Sequence, residues 1–260
     1  MVSETLLLVG RGTARARAGY ETHVDRLAAR GVADRVRAAT YESEPVRELR
    51  EELAAIDADR VYVVPMAIAH SFDTIEDVPA ALSFVGSEVR YCEPLGRSPA
   101  VTDVILQRAA DHLPAREDVS LVLVGFGSGS KPYHRQVLEY HATRLRERSA
   151  YGAVHPCYLL QNPAVECVRY NVATPEAVAV PVFLARAEVT DERIPAKLDL
   201  DRGGIAYADP LGDHPGVTDA IHAELERQRV LALGEESSFE TPSVRNRRPV
   251  ATDGEGSRIE

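Results

Sequence analysis

The polar stretch between Pro65 and Pro79 holds His70, Asp73, Glu76 and Asp77 within eight positions. An imidazole among carboxylates can ligate a divalent ion, because nitrogen and oxygen donors together suit cobalt, nickel, iron or zinc. It can equally take up a proton near neutral pH. The metal reading makes His70 and Asp73 ligands. The catalytic reading makes His70 a base assisted by Glu44, from the turn Glu42-Ser43-Glu44-Pro45. One imidazole with scattered acids falls short of a three-ligand pattern, so His70 also reads as a loop histidine held by a neighbouring carboxylate. Glu44 likewise reads as the negatively charged start of a helix.

The turn Gly10-Arg11-Gly12-Thr13 offers anion recognition. Glycines at 10 and 12 let the backbone turn sharply and approach a ligand, Thr13 can cap the next helix, and a guanidinium at 11 can grip a carboxylate as a fork. The turn matches neither the GxGxxG nor the GxxxxGK[ST] phosphate pattern. Gly125-Phe126-Gly127-Ser128 repeats it at an offset of 115, with Phe126 reading as packing where Arg11 stands in the first copy. Arg186 and Ser128 are the second half's polar candidates. His134 and His141, seven apart in a helical pattern, read as helix surface. No Ser-His-Asp or Cys-His arrangement can be assembled by spacing, so no covalent nucleophile is expected.

These side chains need elements to carry them. Apolar runs with turn signals predict strands over 5–9, 36–41, 61–68 and 88–92, with helices over 14–30, 46–55, 79–85 and 99–112. Alternating strands and helices imply a mostly parallel, four-stranded sheet covered on both faces. In such sheets ligands sit beyond the carboxyl ends of the strands, where all the candidates above fall.

The sequence then starts again. Pro65 and Pro79 recur as Pro181 and Pro195, Pro94-Leu95-Gly96 as Pro210-Leu211-Gly212, and Val101-Thr102-Asp103 as Val217-Thr218-Asp219, each at an offset of 116. Matched landmarks in one order predict an internal duplication: two similar α/β domains, 1–116 and 117–233, packed around one cleft. Residues 234–260, rich in Ser, Glu, Arg, Pro and Gly, read as a disordered tail.

Composition narrows the class. The 260 residues, 45% hydrophobic, suffice for one large or two ordinary domains. A net charge of −10 argues against nucleic-acid binding. The absence of a long apolar run or leader-like start argues against membrane insertion or export and places the protein in the cytoplasm. Cys92, Cys157 and Cys167 show no CxxC spacing and read as small buried apolar residues.

LLLVGRGT, the Glu-Pro helix start, VVPMAIAHSFDTIEDVP and YCEPLGRSPAVTDVIL together resemble the CbiX/SirB sirohydrochlorin chelatases of the class II chelatase superfamily. The resemblance covers residues 1 to about 113, with a weaker echo over 121 to about 230, as in the long, fused form. It implies ATP-independent insertion of Co²⁺ or Fe²⁺ into sirohydrochlorin, on the route to cobalamin or siroheme, with the metal as substrate and no organic cofactor. Carboxylates of the tetrapyrrole would then be held by Arg11, Arg186 and the backbone at Thr13 and Ser128, and pyrrole protons taken by His70 with Asp73 or Glu44. Typical members read GHGS at the first turn and place a second histidine eight residues after the proline matching Pro65. Here Arg11 and Asp73 stand at those positions, and Phe126 and Val189 in the repeat. A tetrapyrrole or metal carrier that kept the cleft and lost turnover is the alternative.

Overall fold

The structure, a computed structural model, describes residues 2–12 and 14–236. Thr13 and, of the expected tail, residues 237–260 lie outside the described residues.

Strands β1 (Glu4–Arg11), β2 (Arg35–Tyr41), β3 (Arg60–Pro65) and β4 (Glu88–Tyr91) form an all-parallel sheet in the order β2-β1-β3-β4. Strands β5 (Val119–Gly125), β6 (Ala153–Tyr158), β7 (Glu176–Pro181) and β8 (Ile205–Tyr207) repeat it as β6-β5-β7-β8, also all parallel. The expected duplicated α/β architecture is what the chain adopts. Side chains alternate across a strand, so Leu6 and Leu8 of β1 enter one core while Leu7 and Val9 enter another. Both faces are covered, which is why the central strands read as unbroken apolar runs rather than as an alternation.

The helices divide into two kinds. Short ones, α2 (Pro45–Glu48), α3 (Arg50–Ala54) and α4 (Val78–Ala81), cover the outer face of the first sheet, and α7 (Val168–Asn171) and α8 (Ile194–Leu198) that of the second. Long ones, α1 (Ala14–Ala29), α5 (Pro99–Ala110), α6 (Tyr133–Arg148) and α9 (Pro215–Glu236), fill the space between the sheets. Residues of both sheets and all four long helices belong to one continuous core. The closing helix of each half crosses to the other: α5 packs on β7 and α9 on β3. The halves therefore share their largest core.

Two histidines mark this crossing. His23 on α1 meets Thr218 Oγ1 on α9 and the Gly212 carbonyl, each at 2.9 Å. His141 on α6 meets Thr102 Oγ1 on α5 at 2.8 Å and the Gly96 carbonyl at 2.5 Å. Both rings are wholly buried. A carbonyl accepts only, so each ring donates from Nε2 and receives the threonine hydroxyl at Nδ1. This corrects the surface expectation for His141: the same helical spacing serves an inner face because α6 has α5 against it.

Several local features differ from expectation. β3 stops at Pro65, after which Met66 gives one last bond to Val9 and the chain leaves the sheet. The segment expected as a plain helix over 79–85 begins earlier, with a π-helical turn Asp73–Asp77 that runs into α4. The turn recurs 116 residues later at Val189–Arg193, ahead of α8. Tyr91 and Tyr207 each donate a hydroxyl hydrogen bond to the carbonyl of the matching threonine, Thr74 at 2.9 Å and Thr190 at 2.7 Å. Last, Cys167 is exposed, unlike Cys92 and Cys157, because it precedes α7 on the outer layer.

Candidate functional site

The carboxyl ends of β1 and β3 and the turn after β5 open onto a single cleft of about 660 Å³. The first half contributes Gly10, Arg11, Tyr41, His70, Phe72 and Asp73; the second contributes Phe126, Ser128, Lys131, His134, Leu160 and Phe183. Gly10 lets the β1 turn pass close beneath this floor: a Cβ there would stand 2.8 Å from the Tyr20 ring and 2.9 Å from Met66. Gly127 sits at φ +78°, in the left-handed region open to glycine. The wall is mainly apolar, and Phe72 (65% exposed), Leu160 and Phe126 leave large apolar surfaces uncovered, a feature that marks binding grooves.

Arg11 is paired with an acid across the cleft floor. Arg11 Nη2 donates to Asp73 Oδ2 at 2.6 Å, and the Tyr41 hydroxyl donates to the same oxygen at 3.1 Å. Burial works against the Arg11 charge, but the Asp73 bond and charge outweigh it and raise its pKa. Burial and the Asp73 charge also push the Tyr41 phenol up, so it remains a donor. The two positions at which the resemblance leads one to expect histidines are thus joined as one ion pair. Arg11 and Asp73, complementary in charge, stand 62 residues apart in sequence.

His70 takes its carboxylate from elsewhere. Its Nε2 lies 2.8 Å from Glu93 Oε2, at the end of β4, while its Nδ1 is buried without a partner. A carboxylate only accepts, so the ring donates to it from Nε2. The ring also stands edge-on to Tyr133, 5.4 Å between centres, so the start of α6 rests against the His70 loop. Neither Asp73 nor Glu44 bonds to it among the described residues.

The remaining candidates are dispersed. Glu44 lines a separate surface pocket with Arg47, Arg50 and Asp77, and pairs with Arg47 at 3.1 Å. Its loop is held by Glu48, whose carboxylate accepts the N–H groups of Glu42, Ser43 and Glu44 and whose pKa falls to about 2 through those bonds. Arg186 is bound to Asp209 and approaches Asp191 at 3.7 Å, outside the cleft lining. Ser128 lies in the cleft, but its N–H is given to Gln161 Oε1 at 3.0 Å and its Oγ receives the N–H groups of Ser130 and Lys131. Gly12 flanks the lining, with its N–H on the Tyr41 carbonyl at 3.0 Å. Tyr41 was not among the expected candidates, and His134, expected on the helix surface, lines the cleft. Tyr41 ends a strand and His134 stands at a helix start, and those positions were their signal in the sequence.

Comparison with known proteins turns on the duplication. The CbiX family model matches residues 5–112 and again 120–228. The chain belongs to the CbiX family. It is 28% identical over 222 residues to a probable sirohydrochlorin cobaltochelatase of Halobacterium salinarum, covering 74% of this chain and 75% of that protein. A multi-domain Deinococcus radiodurans protein with structural similarity to chelatases aligns with a TM-score of 0.74 at 25% identity, over 88% of this chain and 56% of its own length. SirB from Bacillus subtilis, solved with Fe³⁺, gives a TM-score of 0.72 at 20% identity over 90% of this chain and 98% of SirB, which shows the shared fold. Among the described residues no group of three or more His, Cys, Asp and Glu is gathered as for a metal ion.

Proposed function

We propose that this CbiX-family chain inserts a divalent metal, Co²⁺ or Fe²⁺, into sirohydrochlorin without ATP, in the cleft between its halves. The observation that carries the reading is the pairing of an apolar, aromatic-lined cleft with the cations Arg11 and Lys131 at its edge, in a family whose relatives bear chelatase names. A macrocycle with apolar faces and a rim of carboxylates fits that lining. Phe72, Phe126, Leu160 and Phe183 would cover the faces and exclude water, while Arg11 turns from Asp73 to a substrate carboxylate. The guanidinium then exchanges one fork-like partner for another.

Insertion replaces two pyrrole N–H bonds by bonds to the metal, and both protons must leave. Binding energy from the rim can also hold the ring bent, exposing its nitrogens at a strain of about 1–5 kcal/mol. The metal is a substrate here and no organic cofactor is invoked. A carrier reading is favoured by one observation, the Arg11–Asp73 pair, which sets a permanent cation where the resemblance leads one to expect a histidine. The test is to mix purified protein anaerobically with sirohydrochlorin and Co²⁺, with no nucleotide, and follow the macrocycle absorbance. Insertion well above the protein-free rate supports the enzyme; a stoichiometric spectral shift at the protein-free rate supports the carrier.

A further inference from the structure

Two imidazoles line the cleft, one from each half, and they are presented differently. His70 gives Nε2 to Glu93, and its other nitrogen is sealed from solvent. A base must offer an unshared pair to the proton it removes, within hydrogen-bond reach, and the His70 ring as placed offers none to the cleft. His134 is half-buried, its ring 6.2 Å from that of Phe126, and it has no hydrogen-bond partner among the described residues. It stands in the first turn of α6, a helix of 16 residues, where the positive end of the helix dipole opposes a further positive charge.

We propose that His134, from the second half, is the base that takes the pyrrole protons as the metal enters the macrocycle. The inference rests on the insertion reading above and names the group that performs its proton step. A pyrrole N–H bond breaks, its electron pair remains on nitrogen to bind the divalent ion, and the proton forms an N–H bond on the imidazole. The imidazolium so formed is disfavoured by its position at the helix start, so the proton passes to water and the ring is free for the second one. Burial lowers the His134 pKa, which keeps the ring neutral before each transfer. Phe126 stands beside His134 at the position matching Arg11. The second-half turn thus places an apolar ring, rather than a cation, next to the base, and the two halves divide the work: Arg11 grips carboxylate while His134 accepts protons.

The experiment has two arms. In single-turnover Co²⁺ insertion with prebound sirohydrochlorin, His134→Ala and His134→Gln are each expected to slow insertion by about 100-fold or more, the usual contribution of a positioned base, with macrocycle affinity largely retained. Insertion by both His134 variants at the wild-type rate would overturn the inference. The second arm uses metal-free sirohydrochlorin and follows histidine Cε1–H resonances by NMR, with the His134 signal assigned from its loss in His134→Gln. The His134 signal is expected to shift on binding while those of buried His23 and His141 stay in place. An unshifted His134 signal in the bound complex overturns the inference whether or not the protein turns over. A wild type that binds but never inserts refutes the insertion reading itself.

Discussion

His141 yields a prediction about stability that can be worked from its surroundings. Burial lowers its pKa from the ordinary 6.5 to about 4, against the raising effect of the Gly96 carbonyl and with Arg144 adding to the fall. The Tyr140 ring, 5.1 Å away, and Thr102 are its other neighbours. The folded ring prefers to be neutral, whereas the unfolded chain takes the proton at its ordinary pKa. Stability is therefore full above about pH 6.5, declines as pH falls, and levels off below about pH 4. The fall from 6.5 to about 4, at about 1.36 kcal/mol per tenfold change in proton affinity, corresponds to about 3 kcal/mol lost across that window. His23 shifts in the same direction, through burial first, and adds to the decline. Carboxylates titrate in the lower part of the same range, so the perturbation is His141→Gln, whose amide can still receive Thr102 and donate to Gly96. Urea unfolding at several pH values from 4 to 7, extrapolated to water, should show the variant losing about 3 kcal/mol less than wild type between the extremes. Parallel curves for the two proteins would refute the assignment of His141 as a buried neutral bridge.

Three further outcomes follow from single contacts. Gly96→Ala would set a Cβ 1.8 Å from the Ile68 carbonyl oxygen, and because backbone cannot yield cheaply the variant should lose on the order of 3 kcal/mol, read as a lowered urea midpoint; an unchanged midpoint refutes the close approach. Arg11→Ala should weaken sirohydrochlorin binding by about 10-fold or more, the worth of a charged hydrogen bond of about 1.5–3 kcal/mol, in an absorbance titration; equal affinity removes Arg11 from the carboxylate clamp. Tyr91→Phe deletes the hydroxyl that holds Thr74 and should cost about 1 kcal/mol while speeding amide exchange over residues 73–77, with no change in exchange at 189–193.

The parallel halves were legible because their evidence is local. Unbroken apolar runs such as 61–65, glycine turns after β1 and β5, and landmarks repeated at one offset each speak for themselves in the sequence. The exchange of α5 and α9 was not, since helical spacing shows that a face is buried but not which sheet receives it. His141 was misjudged for the same reason. In the cleft, the sequence located Arg11, His70 and Asp73 at strand ends but set Asp73 beside His70 rather than Arg11. Arg11 and Asp73 meet because β1 and β3 are neighbours in the sheet, and His70 meets Glu93 because β4 lies beside β3. Glu44 lies beyond edge strand β2, where the loop turns to a different pocket.

The position of the bound macrocycle tests the account most directly. A crystal structure of the protein with metal-free sirohydrochlorin should show the ring between Phe72 and Phe126, a carboxylate on Arg11, and the pyrrole nitrogens within reach of His134. A ring bound outside this cleft, or within it with its nitrogens turned away from His134 and its carboxylates away from Arg11, would contradict it.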